Sequence, residues 1–141
     1  MKLCTTSETI SFSRELEEKC GEYYESMSRK FDEAKDFSRY KEENFKFAMQ
    51  IQRAYQSVIT DAIEGCFAFS LESDDYTIDT ELPEGLNFRE ALKKAIGLEE
   101  RLAAFYDTAA EQSMSLMADI PRNFKIVNRK RKNRIDQLKS I

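Results

Sequence analysis

The sequence has 141 residues, of which 41% are hydrophobic, and this length suits a single domain over residues 1–141. Four glycines, two prolines and 34% charged residues favour long helices over a sheet protein rich in turns. Because the chain has no histidine, Ser-His and Cys-His nucleophiles and imidazole zinc sites are excluded. No apolar run approaches the roughly 20 residues that span a bilayer, and residues 1–13 lack a signal-peptide pattern, so we expect a cytoplasmic protein without a membrane segment.

Two long helices are predicted in the first half of the chain. Apolar residues at helical spacing predict helix 1 over about 7–33, and Thr5 with Glu8 has the spacing of a capping box at its start. Helix 2 is predicted over about 39–68. Its predicted core-facing row consists of Phe45, Ala48, Met49, Ile59, Ile63 and Phe67.

An acidic connection and a second pair of helices follow. Residues 69–86 contain a proline and a glycine and show no helical period, which predicts an extended crossover. Asn87 and Glu90 predict the N-terminal cap of helix 3, over about 87–117. Helix 4 is predicted over about 121–139. Its predicted inward row consists of Phe124, Val127, Arg131, Ile135 and Leu138.

Three cysteines, Cys4, Cys20 and Cys66, are widely spaced along the chain. They form no CxxC pair and cannot all pair within one chain, so we interpret them as reduced thiols. Cys20 and Cys66 are expected to pack as small hydrophobic side chains inside helices.

The most specific pattern in the sequence is an internal repeat. The segment LEEK at 16–19 with YYE at 23–25 matches LEER at 98–101 with FYD at 105–107, at a constant offset. A second helix that opens on Phe-Lys follows each block. The repeat predicts an all-α, four-helix bundle built from two helical hairpins joined by a long crossover.

A Leu-Glu pair followed by an aromatic residue and a tyrosine, six and seven positions after the glutamate, resembles helices 1 and 3 of rubrerythrin-like di-iron proteins of the ferritin-like superfamily. The resemblance covers nearly the whole chain and implies an up-down four-helix bundle. It implies ligand carboxylates at Glu17 and Glu99, with Tyr24 and Tyr106 as aromatic neighbours, although ordinary packing is the simpler explanation of both tyrosines. The missing CxxC pairs exclude the rubredoxin-type iron centre of a complete rubrerythrin.

Helix 2 departs from the pattern of that family, in which helices 2 and 4 each supply a Glu-x-x-His pair. Counted from Phe45, the glutamate and histidine positions fall on Gln52 and Tyr55. Gln52 is in line with the apolar row of helix 2, so we expect it to face the core.

Helix 4 departs in the same way. Counted from Phe124, the two positions fall on Arg131 and Arg134, and a slip of one residue gives Lys130 and Asn133 instead. Arg131 lies within the apolar row of this helix, whereas Lys130 and Asn133 point away from it. The sequence therefore favours the register with Arg131 and Arg134.

Two carboxylates are too few to balance a pair of divalent cations. Without compensation, Glu17 and Glu99 would form a buried like-charge pair. We hypothesise that Arg131, helped by Arg134, bridges both carboxylates in place of a metal, so that no cofactor is needed. The neutral residues of helix 2 would complete the hydrogen-bond network.

Two alternatives stay open. In the first, Glu17, Glu99 and Arg131 form solvated surface pairs, each worth well under roughly 1 kcal/mol. In the second, iron or another divalent metal binds both glutamates together with Glu18 or Glu100.

The run from Arg129 to Arg134 suggests phosphate contacts, as in proteins that bind polyanions. A continuous run covers every face of a helix, and the acidic stretch from Glu72 to Glu84 is an expected partner within the chain or in a dimer mate. The net charge of -4 argues against a nucleic-acid binder.

Three functions are compatible with these patterns. The favoured one is a metal-free, ferritin-like structural or interaction module, expected to form a homodimer and to bind an unidentified protein partner. The second is a metal-dependent oxidoreductase or peroxidase-like protein that uses the residual carboxylates. The third is a polyanion-binding module that uses the basic face of helix 4.

Overall fold

A computed structural model of the protein describes residues 1–59 and 67–141. The long helices in these ranges are α1 (Thr6–Lys30), α2 (Ser38–Val58), α3 (Phe88–Gln112) and α4 (Asp119–Lys139). Strand β1 (Lys2–Leu3) pairs antiparallel with β2 (Leu71–Glu72) and ties the N-terminus to the crossover. The predicted all-α class is confirmed. None of the described helices is long and apolar enough to cross a membrane.

Both predicted capping boxes are present. Thr5 Oγ1 accepts a hydrogen bond from the Glu8 amide at 3.1 Å, and Glu8 Oε1 accepts one from the Thr5 amide at 3.0 Å. Asn87 and Glu90 repeat this arrangement at the start of α3, at 2.9 and 3.3 Å. The capping side chains accept hydrogen bonds from backbone amides that have no acceptor within the helix. This is why α1 and α3 begin close to the predicted positions.

Helix α2 is shorter than the sequence predicts. It ends at Val58, where Ile59 turns to extended backbone, and residues 67–70 are not helical. The predicted core residues Ile63 and Cys66 lie outside the described residues. No glycine or proline marks the end of α2, so the boundary had no signal in the sequence.

Two short 3-10 segments also adjust the predicted boundaries. Residues Asp32–Phe37 form the connection between α1 and α2. A second segment, Ser113–Ser115, follows α3, which therefore stops at Gln112 and not near residue 117.

Neighbouring helices run antiparallel. Between α1 and α3, the rings of Phe12 and Phe105 lie 5.4 Å apart, and the Tyr23 hydroxyl donates to the Ala91 carbonyl at 2.7 Å. Residue numbers therefore rise along α1 as they fall along α3.

The same relation holds between α2 and α4. Gln50 donates to Asn123 Oδ1 at 3.0 Å, while Asn44 accepts from Arg134. The α1–α2 and α3–α4 pairs are hairpins with short connections. Because α3 is antiparallel to α1, it runs in the same direction as α2, and residues 67–87 lead into α3 at the opposite end of the bundle from the end of α2.

Aromatic layers enclose the centre of the bundle on both sides. The rings towards one end belong to Tyr24, Phe31, Phe37, Tyr40 and Phe88. The rings towards the other end belong to Phe12, Tyr76, Phe105, Tyr106 and Phe124. Each large ring removes roughly 150–250 Å² from water, so the two layers help to hold the helices together on both sides of the centre.

The acidic crossover packs away from the basic run of α4. Lys94 lies 3.3 Å from Asp79, and Lys30 donates to the Glu84 carbonyl at 2.8 Å. Among the described residues, no ion pair joins the crossover to Arg129–Arg134. The expected pairing of these two segments within one chain is therefore wrong.

Candidate functional site: a buried arginine–glutamate cluster

Four charged side chains meet in the centre of the bundle, and we call them the buried charge cluster. They are Glu17 of α1, Glu99 of α3, and Arg131 and Arg134 of α4, none of them more than 3% exposed. An isolated ion in such a place would lose several kcal/mol of hydration, so the four charges must satisfy one another. The alternative of solvated surface pairs is wrong.

The Arg131 guanidinium joins the two glutamates. Its Nη1 donates to Glu99 Oε2 at 2.5 Å, and its Nη2 donates to Glu17 Oε1. One planar group thus reaches carboxylates on two different helices. The predicted inward direction of Arg131 is confirmed, and Lys130 and Asn133 of the alternative register are exposed.

Arg134 lies one turn further along α4 and binds the same glutamate. Its Nη1 donates to Glu99 Oε1 at 3.0 Å and also to Asn44 Oδ1. Its Nη2 lies 3.4 Å from Glu43 Oε2 at the rim of the bundle. Arg134 therefore links the cluster to α2, which contributes no charge of its own to the buried centre.

Two neutral donors complete the surroundings of Glu99. The Tyr24 hydroxyl donates to Glu99 Oε1 at 2.7 Å, and Cys20 Sγ lies 3.3 Å from the same oxygen. Burial raises the pKa of the Cys20 thiol and of the Tyr24 hydroxyl well above their ordinary values. Both side chains therefore stay protonated and act as hydrogen-bond donors, as the prediction of an unreactive, buried Cys20 requires.

Aromatic faces cover the two guanidinium groups. The Arg134 guanidinium carbon lies 4.6 Å from the Tyr40 ring centre and 5.1 Å from that of Phe47. The Arg131 guanidinium carbon lies 5.4 Å from the Tyr106 ring centre. Ring faces attract cations and exclude water, so the same side chains stabilise the arginines and lower the local dielectric.

The prediction that Gln52 faces the core is wrong. Phe45, from which its position was counted, is 65% exposed, and Gln52 is half-buried beside a surface groove. Asn44 and Phe47 contact the arginines instead. Tyr55 is buried. Because it follows Phe47 by eight residues, its backbone lies roughly 12 Å further along the axis of α2 than that of Phe47, which contacts the arginines.

The correct row of α2 had a signal in the sequence. Tyr40, Asn44, Phe47 and Ile51 recur at intervals of four, three and four residues, and all are buried. The Phe-Lys match between the two halves led to the wrong row, because it treated Phe45 and Phe124 as equivalent. Phe124 is buried, whereas Phe45 points to solvent.

The two glutamates of the cluster differ in protonation. Burial raises the pKa of Glu17 to about 7, since desolvation outweighs the attraction of Arg131. Burial also favours the neutral form of Glu99, but Arg131 and Arg134 outweigh it and hold the pKa of Glu99 below its ordinary value. Glu99 is thus the fixed anion, and Glu17 takes up a proton first.

Polar atoms around Glu17 are incompletely paired. Glu17 Oε2, the Tyr106 hydroxyl and Arg131 Nε are buried without a hydrogen-bond partner among the described residues. Burial and the charge of Glu17 raise the pKa of Tyr106, so its hydroxyl stays protonated beside that carboxylate.

The residues present do not fit a di-iron centre. Two carboxylates line the buried space, and their inner oxygens already accept from guanidinium groups. Glu18 and Glu100, the additional ligands considered above, are exposed, and Glu18 pairs with Arg14 at 3.0 Å. Within residues 1–59 and 67–141, no group of three or more acidic or cysteine side chains is placed to hold a metal ion.

Comparisons of this chain with protein-family models, with curated proteins and with solved structures found no match. The assignment of a role to the buried charge cluster therefore depends on the residues of this chain alone.

We predict that the two glutamates respond differently to removal of their charge. Glu99→Gln should lower the free energy of unfolding by about 3–5 kcal/mol at pH 7.5, because it leaves two buried arginines with one carboxylate. Glu17→Gln should cost much less, since its amide oxygen can still accept from Arg131. Urea unfolding of both variants measures the difference, and equal losses would contradict the assigned roles.

We also predict a pH dependence of stability that arises from Glu17. Its pKa is about 7 in the folded chain against 4.5 ordinarily, so the folded state binds an extra proton between these values. The free energy of unfolding should fall by roughly 3 kcal/mol as the pH rises from 4.5 to 7. The Glu17→Gln variant, measured by the same urea titration, should lack this slope. A wild-type slope that persists in the variant would assign the effect to another group.

Proposed function

We propose that this protein is a metal-free, ferritin-like bundle related to rubrerythrins, in which two buried arginines supply the positive charge of a di-iron centre. It acts as a structural or interaction module and not as an oxidoreductase. The observation that carries the proposal is the Arg131 guanidinium, which joins the carboxylates of Glu17 and Glu99.

Charge balance supports this proposal. In a di-iron bundle, about four carboxylates offset two divalent cations. Here Glu17 and Glu99 face Arg131 and Arg134, so the buried centre is close to neutral without a metal. A cation added between these carboxylates would have to displace a guanidinium and would meet repulsion from both arginines.

The helix arrangement also supports the proposal. The bundle has two antiparallel hairpins, and its crossover makes α2 and α3 run in the same direction. Arg131 and Arg134 are three residues apart on α4, and Asn44 and Phe47 are three residues apart on α2. Both pairs have the spacing of a Glu-x-x-His pair and face the same buried layer. We assign Asn44 and Phe47 to the positions that Gln52 and Tyr55 were predicted to occupy.

The burial of the cluster argues for a structural role. Its four charged side chains are at most 3% exposed, and aromatic rings cover both guanidinium groups. A substrate would have to separate the helices to reach the Arg131 guanidinium, which is 0% exposed. The cluster instead fixes the relative alignment of all four helices, because each ion pair or hydrogen bond joins side chains on different helices.

Metal content tests the proposed function. After anaerobic incubation with ferrous iron and gel filtration, the wild-type chain should retain far less than one equivalent of iron. Retention of one equivalent or more, measured by mass spectrometry of the eluted protein, would contradict the proposal.

A restored site sharpens this test. Carboxylates and imidazoles at the assigned positions should allow the chain to retain iron, because they supply the missing ligands. The substitutions are Asn44→Glu, Phe47→His, Arg131→Glu and Arg134→His. As a matched control, Asn44→Glu and Phe47→His are combined with Lys130→Glu and Asn133→His, which have the same spacing on the exposed face of α4. Retention by the control alone would show that the assigned register of α4 is wrong.

A further inference from the structure

A groove outside the buried charge cluster runs between α2 and α4 and encloses about 310 Å³. Lys46 and Gln50 lie one turn apart on its α2 wall. Lys130, Asn133 and Gln137 follow one another at intervals of three and four residues on its α4 wall. Each wall therefore carries one lysine with a side-chain amide close to it in the helix.

The lysines of this groove have no acidic partner within residues 1–59 and 67–141. Neither Lys46 nor Lys130 forms an ion pair with any described residue. Glu43 is the acidic residue in the wall, and its carboxylate already lies 3.4 Å from Arg134. Arg134 forms part of the floor, and its guanidinium is already paired with Glu99 and Glu43. Within the described part of the chain, the Lys46 and Lys130 ammonium groups thus lack an anion.

We propose that this α2–α4 groove binds a small soluble ligand that carries a diphosphate or two adjacent phosphate groups. Lys46 and Lys130 lie on opposite walls, so that their ammonium groups would supply the charge. The side-chain amides of Asn133 and Gln137 supply hydrogen bonds to phosphate oxygens. This inference is independent of the proposed function, because both lysines lie outside the buried charge cluster.

The distribution of the basic run favours a compact ligand over a nucleic acid. Arg131 and Arg134 turn inward, and Lys132 pairs with Asp107 at 3.1 Å. Arg129 lies beside a different groove, which also contains Lys125. The run is therefore divided among several faces of α4, whereas a duplex requires phosphate contacts along one continuous surface.

Calorimetric titration of the full chain with inorganic pyrophosphate tests this proposal. The variant Lys46→Ala/Lys130→Ala should bind pyrophosphate at least about tenfold more weakly than the wild type, because two charge-assisted contacts are lost. The matched control is Lys93→Ala/Lys125→Ala, which removes two other exposed lysines, one of them on the same helix. The control should retain wild-type affinity, and urea unfolding should show that both variants are folded.

Three results would overturn the proposal. One is the absence of pyrophosphate binding to the wild type, and a second is an equal loss of affinity in both double variants, which would indicate a diffuse basic surface. The third comes from a parallel titration with random duplex DNA. Tighter binding of the duplex than of pyrophosphate, unaffected by Lys46→Ala/Lys130→Ala, would show that the polyanion site lies elsewhere on the chain.

Discussion

Four buried charges in the centre of the bundle must neutralise one another, because each isolated ion would lose several kcal/mol of hydration. This requirement fixes the geometry of the helices around them. Arg131 can reach Glu17 and Glu99 together only if α1, α3 and α4 keep their present spacing and register. The Arg131 guanidinium therefore holds α1, α3 and α4 in alignment. The hydrogen bond from Arg134 to Asn44 adds α2 to the same network.

The apolar layers and the charged layer depend on each other. The aromatic rings exclude water from the centre, which strengthens every ion pair there and makes any unpaired charge costly. The ion pairs in turn join side chains of α1, α3 and α4, so that a change in the register of these helices would separate the charges. Glu17 is the least stabilised anion of the cluster, because its carboxylate accepts a hydrogen bond from one arginine only and its pKa is about 7.

Particular residues show how far the sequence predicts this structure. The capping residues Thr5 and Asn87 predicted the starts of α1 and α3, because N-terminal capping depends on residues close in sequence. The internal repeat predicted that Glu17 and Glu99 are equivalent, and both are buried. Periodicity selected Arg131 correctly because its apolar neighbours lie on one face. The α2 residues were misplaced, since a two-residue Phe-Lys match carried more weight than the buried row that contains Asn44. The raised pKa of Glu17 could not be predicted from the sequence. It depends on burial and on the positions of Arg131 and Arg134, which stabilise the Glu99 anion more than the Glu17 anion.

The most direct test of the central claim is the stability of Arg131→Met, which removes the charge but keeps much of the side-chain volume. At pH 8 its free energy of unfolding should be about 3–5 kcal/mol below that of the wild type, because two buried carboxylates lose their shared cation. At pH 5 the deficit should shrink, since protonation relieves the carboxylates of charge. A variant as stable as the wild type at pH 8, or equally destabilised at both pH values, would contradict the claim that Arg131 neutralises the centre of the bundle.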